Sequence, residues 1–182
     1  MRFALPAPRR RRYDLCSGRG AFMTAFELQF RPSATLIQVV RRFVFDFYEG
    51  VLDDPDTVAR VALATHELLE NAVKYSLDGA TELSLGIEEG EGGTREVALR
   101  LRNRAAASDV EALTALFAEM DQYPDPYAHY QAAMERGARR RTGSGLGIVR
   151  VRAEGEMCMK CSVEGDKVLI EARTQVEPRR EA

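Results

Sequence analysis

Three residues in one short string carry the types of group that chemistry needs. In His66-Glu67-Leu68-Leu69-Glu70-Asn71-Ala72-Val73-Lys74-Tyr75-Ser76, Glu67, Asn71 and Lys74 stand at i, i+4 and i+7. On an α-helix they share one stripe, so a carboxylate, an amide and an ammonium line up. That set suits nucleotide–metal work. Mg²⁺ takes oxygen ligands and keeps several waters, so one amide oxygen can complete an octahedron otherwise filled by phosphates and water. A glutamate nearby can accept a hydroxyl or water proton. A lysine one turn on meets a phosphate as a point charge. The same spacing also fits a solvated helix face supported by a Glu70–Lys74 pair, and spacing alone does not choose between them.

A second string, Thr142-Gly143-Ser144-Gly145-Leu146-Gly147-Ile148, follows three arginines, 139–141, and precedes a helical pattern. Glycines let backbone N–H groups converge on an anion, and a helix N-terminus adds a favourable dipole. The string is no P-loop, because Gly-Lys-Ser/Thr is missing. It is no dinucleotide fingerprint either, because no strand leads into it. A flexible hinge has the same composition.

The elements that must position these strings follow from periodicity. Residues 25–30 alternate as a half-buried strand, and Ser33 caps a helix over 34–49 with Leu36, Val39, Val40, Phe43 and Phe47 at helical spacing and Gly50 at its end. Asp54-Pro55 opens a second helix that runs to about residue 76, where Asp78-Gly79 breaks the chain. Residues 82–88 and 96–102 alternate with period two around a glycine-rich connection. Residues 108–120 form a helix capped by a Ser108–Glu111 box, and Tyr123-Pro124-Asp125-Pro126 ends it. A polar helical stretch over 127–141, a short helix over 148–154, and a hairpin of strands 157–163 and 167–173 complete the chain. Hairpins together with several helices predict an α+β two-layer sandwich, its sheet mixed but mainly antiparallel, with helices on one face.

The 182 residues fit one domain, expected over 23–176, with a six-residue tail at 177–182. Residues 1–22 hold six arginines and one aspartate and predict a disordered basic tail, or a start at Met23. The formal net charge of −2 argues against a nucleic-acid binder that works by neutralising phosphates. No apolar run is long enough to span a membrane, and the opening has no apolar segment of the secretory kind. Three cysteines, Cys16, Cys158 and Cys161, predict no disulfide framework and a reducing, cytoplasmic compartment. Cys158 and Cys161 would face opposite sides of a strand, which disfavours a metal pair.

Taken together and in this order, the two strings resemble the N-box and the second glycine box of histidine-kinase-like (GHKL) ATPases, over roughly 24–174. The resemblance implies a Bergerat α/β sandwich with both strings on the walls of one ATP site. It implies Asn71 as the Mg²⁺ ligand, Glu67 as general base, Lys74 near a phosphate and Tyr75 beside the adenine or ribose. Thr142, Gly143, Ser144, Gly145, Leu146 and Gly147 would wrap the triphosphate, and residues 123–141 would form the lid. The chain departs from the family at its first glycine box. Leu101-Arg102-Asn103-Arg104-Ala105 has an asparagine where an aspartate ordinarily reads the adenine amino group, and the following glycine is absent. Asn103 still offers an amide oxygen, though not a charged acceptor. The stand-alone SiaB-like kinases resemble this chain in length and also carry an asparagine at this strand end.

No transducer domain is expected, and no dimerisation helix pair with a phospho-acceptor histidine is expected before residue 25. His66 and His129 are expected to be structural. The resemblance therefore points to a stand-alone, anti-sigma-factor-type serine/threonine kinase of a bacterial partner-switching system. It would use ATP and Mg²⁺ on a STAS-domain partner, with a sigma factor as a further potential partner and a homodimer as the common assembly of such proteins. The competing class is a non-catalytic, nucleotide-gated binding module.

Overall fold

The structure is a computed structural model that describes residues 23–89, 94–138 and 146–176, with side chains from residue 26. Ten elements follow one another: β1 (Met23–Phe30), α1 (Ala34–Val51), α2 (Pro55–Tyr75), β2 (Ser76–Glu89), β3 (Arg95–Ala105), α3 (Ala107–Gln122), α4 (Pro126–Ala138), α5 (Leu146–Ala153), β4 (Cys158–Glu164) and β5 (Lys167–Val176). The strands form one five-stranded sheet in the order β1-β2-β3-β5-β4, and every described pairing is antiparallel. This is the expected α+β two-layer architecture.

Period-two patterning decides which side of the sheet is dry. Leu83 and Leu85 of β2, Val97, Leu99 and Leu101 of β3, and Val168, Ile170 and Ala172 of β5 are buried on one face, against Val61, Leu68 and Leu69 of α2 and Val151 of α5. On β1, Phe26, Leu28 and Phe30 turn partly inward while Glu27 and Gln29 stay exposed.

Several local expectations are corrected. Helix α1 runs through Gly50 to Val51, because Leu52 N–H still reaches Tyr48 O at 2.7 Å. Its buried stripe is Ile37, Val40, Val44 and Tyr48, while Val39 and Phe43 stay exposed; Phe43 and Phe47 instead pack on Phe26 at the sheet's rim, 5.0 and 5.3 Å between ring centres. Asp78-Gly79 is not a break between elements. Strand β2 has already begun at Ser76, and Gly79, at φ +71°, lies where the β2–β3 register slips between Ser76 and Thr81. The Ser108–Glu111 box does not form; α3 starts a residue earlier, behind Ala106, with no side-chain cap. Ser33 and Asp54 do cap α1 and α2, accepting from Leu36 N–H and Thr57 N–H.

The sheet's other face carries charge in place of helices. Arg173 bonds Glu88 and Glu171, and Arg100 bonds Glu171 at 2.5 Å; Glu88 and Arg173 are both buried. Further along, Arg104 bonds Asp166 at 2.5 Å in the open. Cys161 is a free thiol on the core side, its pKa raised by desolvation, whereas Cys158 is disulfide-bonded, against the expectation of no disulfide framework. Among the described residues no helix is long and apolar enough to cross a membrane.

Candidate functional site

Helix α2 is the spine of the site. Asp54 accepts from Thr57 N–H at 3.1 Å and Pro55 holds the first turn, so the helix starts at a fixed point and its twenty-one residues keep one register to Tyr75. That register buries Leu68, Leu69 and Ala72 in the core. It turns Glu67 and Asn71 toward the start of α5. Glu67 is 9% exposed and Asn71 half-buried, while Lys74, one turn on, stands in solvent.

Helix α5 supplies the opposing backbone. A Cβ built on Gly147 would lie 2.6 Å from Glu67 Oε2 and 3.7 Å from Asn71 Nδ2. Only a hydrogen fits there, so the glycine lets the first turn of α5 close on the α2 stripe. Leu146 and Gly147 are described; Thr142, Gly143, Ser144 and Gly145 lie outside the described residues.

Beside this contact is a cavity of about 520 Å³, within the usual range for small-molecule sites. Asn71 and Tyr75 stand on one wall. Leu101, Asn103 and Val168 form the sheet floor, Ile148 closes the α5 end, and Leu113 and Leu116 of α3 with Ala133 of α4 lie across from the sheet. Asn103 is 9% exposed, and its Nδ2 donates to Arg104 O at 3.1 Å. That bond leaves the amide oxygen as the acceptor a ligand can use. Glu67, Lys74, Leu146 and Gly147 are not among the residues lining the cavity.

Four charged residues at the site were not anticipated. Arg150 Nη1 donates to Glu67 Oε1 at 2.9 Å and its Nε to Glu154 at 2.6 Å. The Arg150 pKa is raised, chiefly by its bond to Glu154 and then by the Glu154 and Glu67 charges against desolvation. Its one available signal was spacing: Arg150 follows Gly147 by three, so both face α2. Asp109, Glu119 and Arg136 also line the cavity, and Arg136 bonds Glu119 at 2.5 Å.

The expected lid region is a docked helix here. His129 of α4 is fully buried, stacks on Tyr123 at 4.5 Å and meets Glu119 Oε1 at 3.1 Å. Arg152 ties the same corner by donating to Met120 O and Tyr123 O. His66 contacts Glu70 at 3.5 Å, so Glu70 is engaged on its own helix.

The arrangement fits a magnesium nucleotide on three observations. Asn71 Nδ2 is a buried donor without a partner among the described residues. Gly147, lacking a side chain, brings the backbone of the first turn of α5 against Glu67 and Asn71. Among the described residues no three His, Cys, Asp or Glu gather as a metal cage, so a cation beside Asn71 would draw its other ligands from phosphate and water.

No family model matches the chain, and no curated protein matches it. Among solved structures, the fold is similar to a chain of the SiaB–SiaC complex from Pseudomonas aeruginosa, at 16% identity and a TM-score of 0.58 over 84% of this chain and 91% of that one. The likeness is one of fold, which in the described residues of this chain is a two-layer α+β sandwich with a five-stranded antiparallel sheet and five helices.

Proposed function

We propose that this chain is an ATP–Mg²⁺-dependent serine/threonine protein kinase of a bacterial partner-switching system, with a hydroxyl of a STAS-domain protein as its acceptor. The observation that carries this reading is the meeting of Gly147 with Glu67 and Asn71 beside a cavity floored by Asn103. A glycine from α5 and two polar groups of α2, distant in sequence, meet beside the cavity that would take the nucleotide.

The nucleotide with its cation supplies the transferable phosphoryl group and the charge that polarises it. The chain's own residues have few tasks, since phosphoryl transfer needs mainly positioning and charge stabilisation. Asn71 would hold the cation through its amide oxygen, and the Asn103 amide oxygen would accept from the adenine amino group. The aliphatic walls would exclude water from the ring. The α5 N-terminus favours anions at Leu146 and Gly147. Glu67 Oε2 would accept the proton of the attacking hydroxyl. The neighbouring fold was crystallised with a second protein, which supports a protein partner for this chain.

A second reading is supported by one observation. Glu67 Oε1 is held by Arg150, which occupies the carboxylate a kinase would use as base and so favours a nucleotide-gated binding module without transfer. Two measurements separate these readings. Calorimetry should show ATP binding that depends on Mg²⁺ and is lost in Asn71→Ala. Labelled γ-phosphate should then reach a STAS-domain protein. Binding without transfer selects the module, and no Mg²⁺-dependent binding at all removes both.

A further inference from the structure

We propose that Arg150 is a positioning residue for phosphoryl transfer, holding the Glu67 carboxylate with Oε2 toward the first turn of α5, and that Tyr130 ties this setting to the docked position of α4. This role rests on the kinase reading above. Four polar groups, Glu67, Arg150, Glu154 and Tyr130, run from α2 through α5 to α4, and none of them lines the nucleotide cavity.

The run begins at Glu67. Arg150 Nη1 donates to its Oε1 at 2.9 Å, and Arg150 Nε turns away to Glu154 at 2.6 Å. The guanidinium is thus shared between two carboxylates and meets Glu67 through one nitrogen. A bidentate grip would occupy both oxygens. This one leaves Oε2, which lies 2.6 Å from where a Gly147 Cβ would stand. The oxygen left over is therefore the one that faces the start of α5. A free carboxylate turns about its last bond with little preference. With Oε1 held, Oε2 keeps one place, and a general base must be in place before a proton can move to it.

Glu154, just past α5, is held in turn from α4. The Tyr130 hydroxyl donates to its carboxylate. Desolvation and then the Glu154 charge raise the Tyr130 pKa, which keeps the phenol a donor. Tyr130 follows His129 by one position, so the two side chains leave α4 about 100° apart. His129 enters the buried corner with Tyr123 and Glu119, and Tyr130 reaches Glu154. The corner that docks α4 thereby also sets where the Tyr130 hydroxyl stands.

Stability does not account for the run. The Arg150 and Glu154 side chains are 41% and 38% exposed, so solvent screens their pair and it adds little to folding. Placement is what these bonds control, and a group shifted by about 1 Å can lose about 10²-fold in rate. In the transfer step the acceptor hydroxyl oxygen bonds the γ-phosphorus and the bond to the β–γ bridging oxygen breaks. ADP leaves with that electron pair, and the hydroxyl proton passes to Glu67 Oε2.

The test compares the full wild-type chain with Tyr130→Phe, Arg150→Lys and the double variant. Lysine keeps the charge but loses the fork that spans two carboxylates. Without nucleotide, the Arg150 Nε–H signal in nitrogen-edited NMR should exchange slowly with water in the wild type and severalfold faster in Tyr130→Phe. With saturating ATP–Mg²⁺ and a STAS-domain protein as acceptor, each single variant should lose about tenfold in kcat. The calorimetric ATP–Mg²⁺ affinity and the melting midpoint should stay near wild type. The double variant should be no slower than Arg150→Lys, because Tyr130 acts only through Arg150. An unchanged Arg150 signal or kcat in Tyr130→Phe would overturn the role. So would a higher kcat in Arg150→Lys, which would make the pair a brake, a loss of ATP–Mg²⁺ affinity equal to the loss of rate, or additive losses in the double variant. Each of those leaves the kinase reading in place. A wild type that does not transfer phosphate removes that reading and this role with it.

Discussion

Gly147→Ala is the sharpest probe of the site, because it adds one methyl at the point where two helices meet. The new Cβ would stand 2.6 Å from Glu67 Oε2. Ordinary contact distances are near 3.5 Å, so the carboxylate must retreat by roughly 0.7–1 Å. Glu67 cannot retreat freely, since Arg150 Nη1 holds its other oxygen at 2.9 Å. Loosening that pair costs at most about 0.5–1 kcal/mol, because the Arg150 side chain is 41% exposed and solvent screens it. Alanine returns up to about 1 kcal/mol of helix propensity over glycine. The two terms nearly cancel, and the unfolding midpoint should move by no more than about 3 °C. Phosphoryl transfer should respond very differently, because a group misplaced by about 1 Å can lose about 10²-fold in rate. The assay pairs a thermal melt with γ-phosphate transfer and ATP–Mg²⁺ calorimetry on the same preparation. Wild-type binding and transfer in Gly147→Ala would refute the argument that this contact belongs to the ligand site. A collapse of stability would show that Gly147 serves packing instead.

Other substitutions test the scaffold. Arg173→Ala leaves the buried Glu88 carboxylate with only the longer 3.5 Å contact to Arg100 among the described ion pairs and should cost up to about 3 kcal/mol in urea unfolding, with part of the loss recovered by adding Glu88→Gln. Tyr48 is fully buried with no partner for its hydroxyl among the described residues, and desolvation raises its pKa. Tyr48→Phe should therefore stabilise by about 1 kcal/mol, read as a higher urea midpoint. His129 is held below the ordinary histidine value, first by desolvation and against the pull of Glu119. Below roughly pH 6.5 the unfolded chain then binds more protons than the folded one, so this contribution is full above that pH and is lost as pH falls toward the folded value. Urea midpoints at pH 7.5 and 5.5 should diverge in the wild type and converge in His129→Phe, and equal divergence in both would discount His129.

What the sequence determined by itself was local and periodic. Alternation in β2, β3 and β5 marked the dry face of each strand, and Asp54-Pro55 marked the start of α2, because these signals act within a few residues and survive any packing. The i, i+4 spacing of Glu67 and Asn71 likewise placed them on one stripe. Tertiary structure decided the rest. Which stripe of α1 is buried depended on how β1 presents Phe26, and the start of α3 did not follow Ser108, since a capping residue competes with packing for the same turn. The Arg150–Glu67 pair joins residues 83 apart in the chain, and Glu88 meets Arg173, 85 residues away, only once β2, β3 and β5 are in register. Long-range ion pairs and cross-sheet rows have no sequence period; they are set by the way helices and strands stack, which no local window contains.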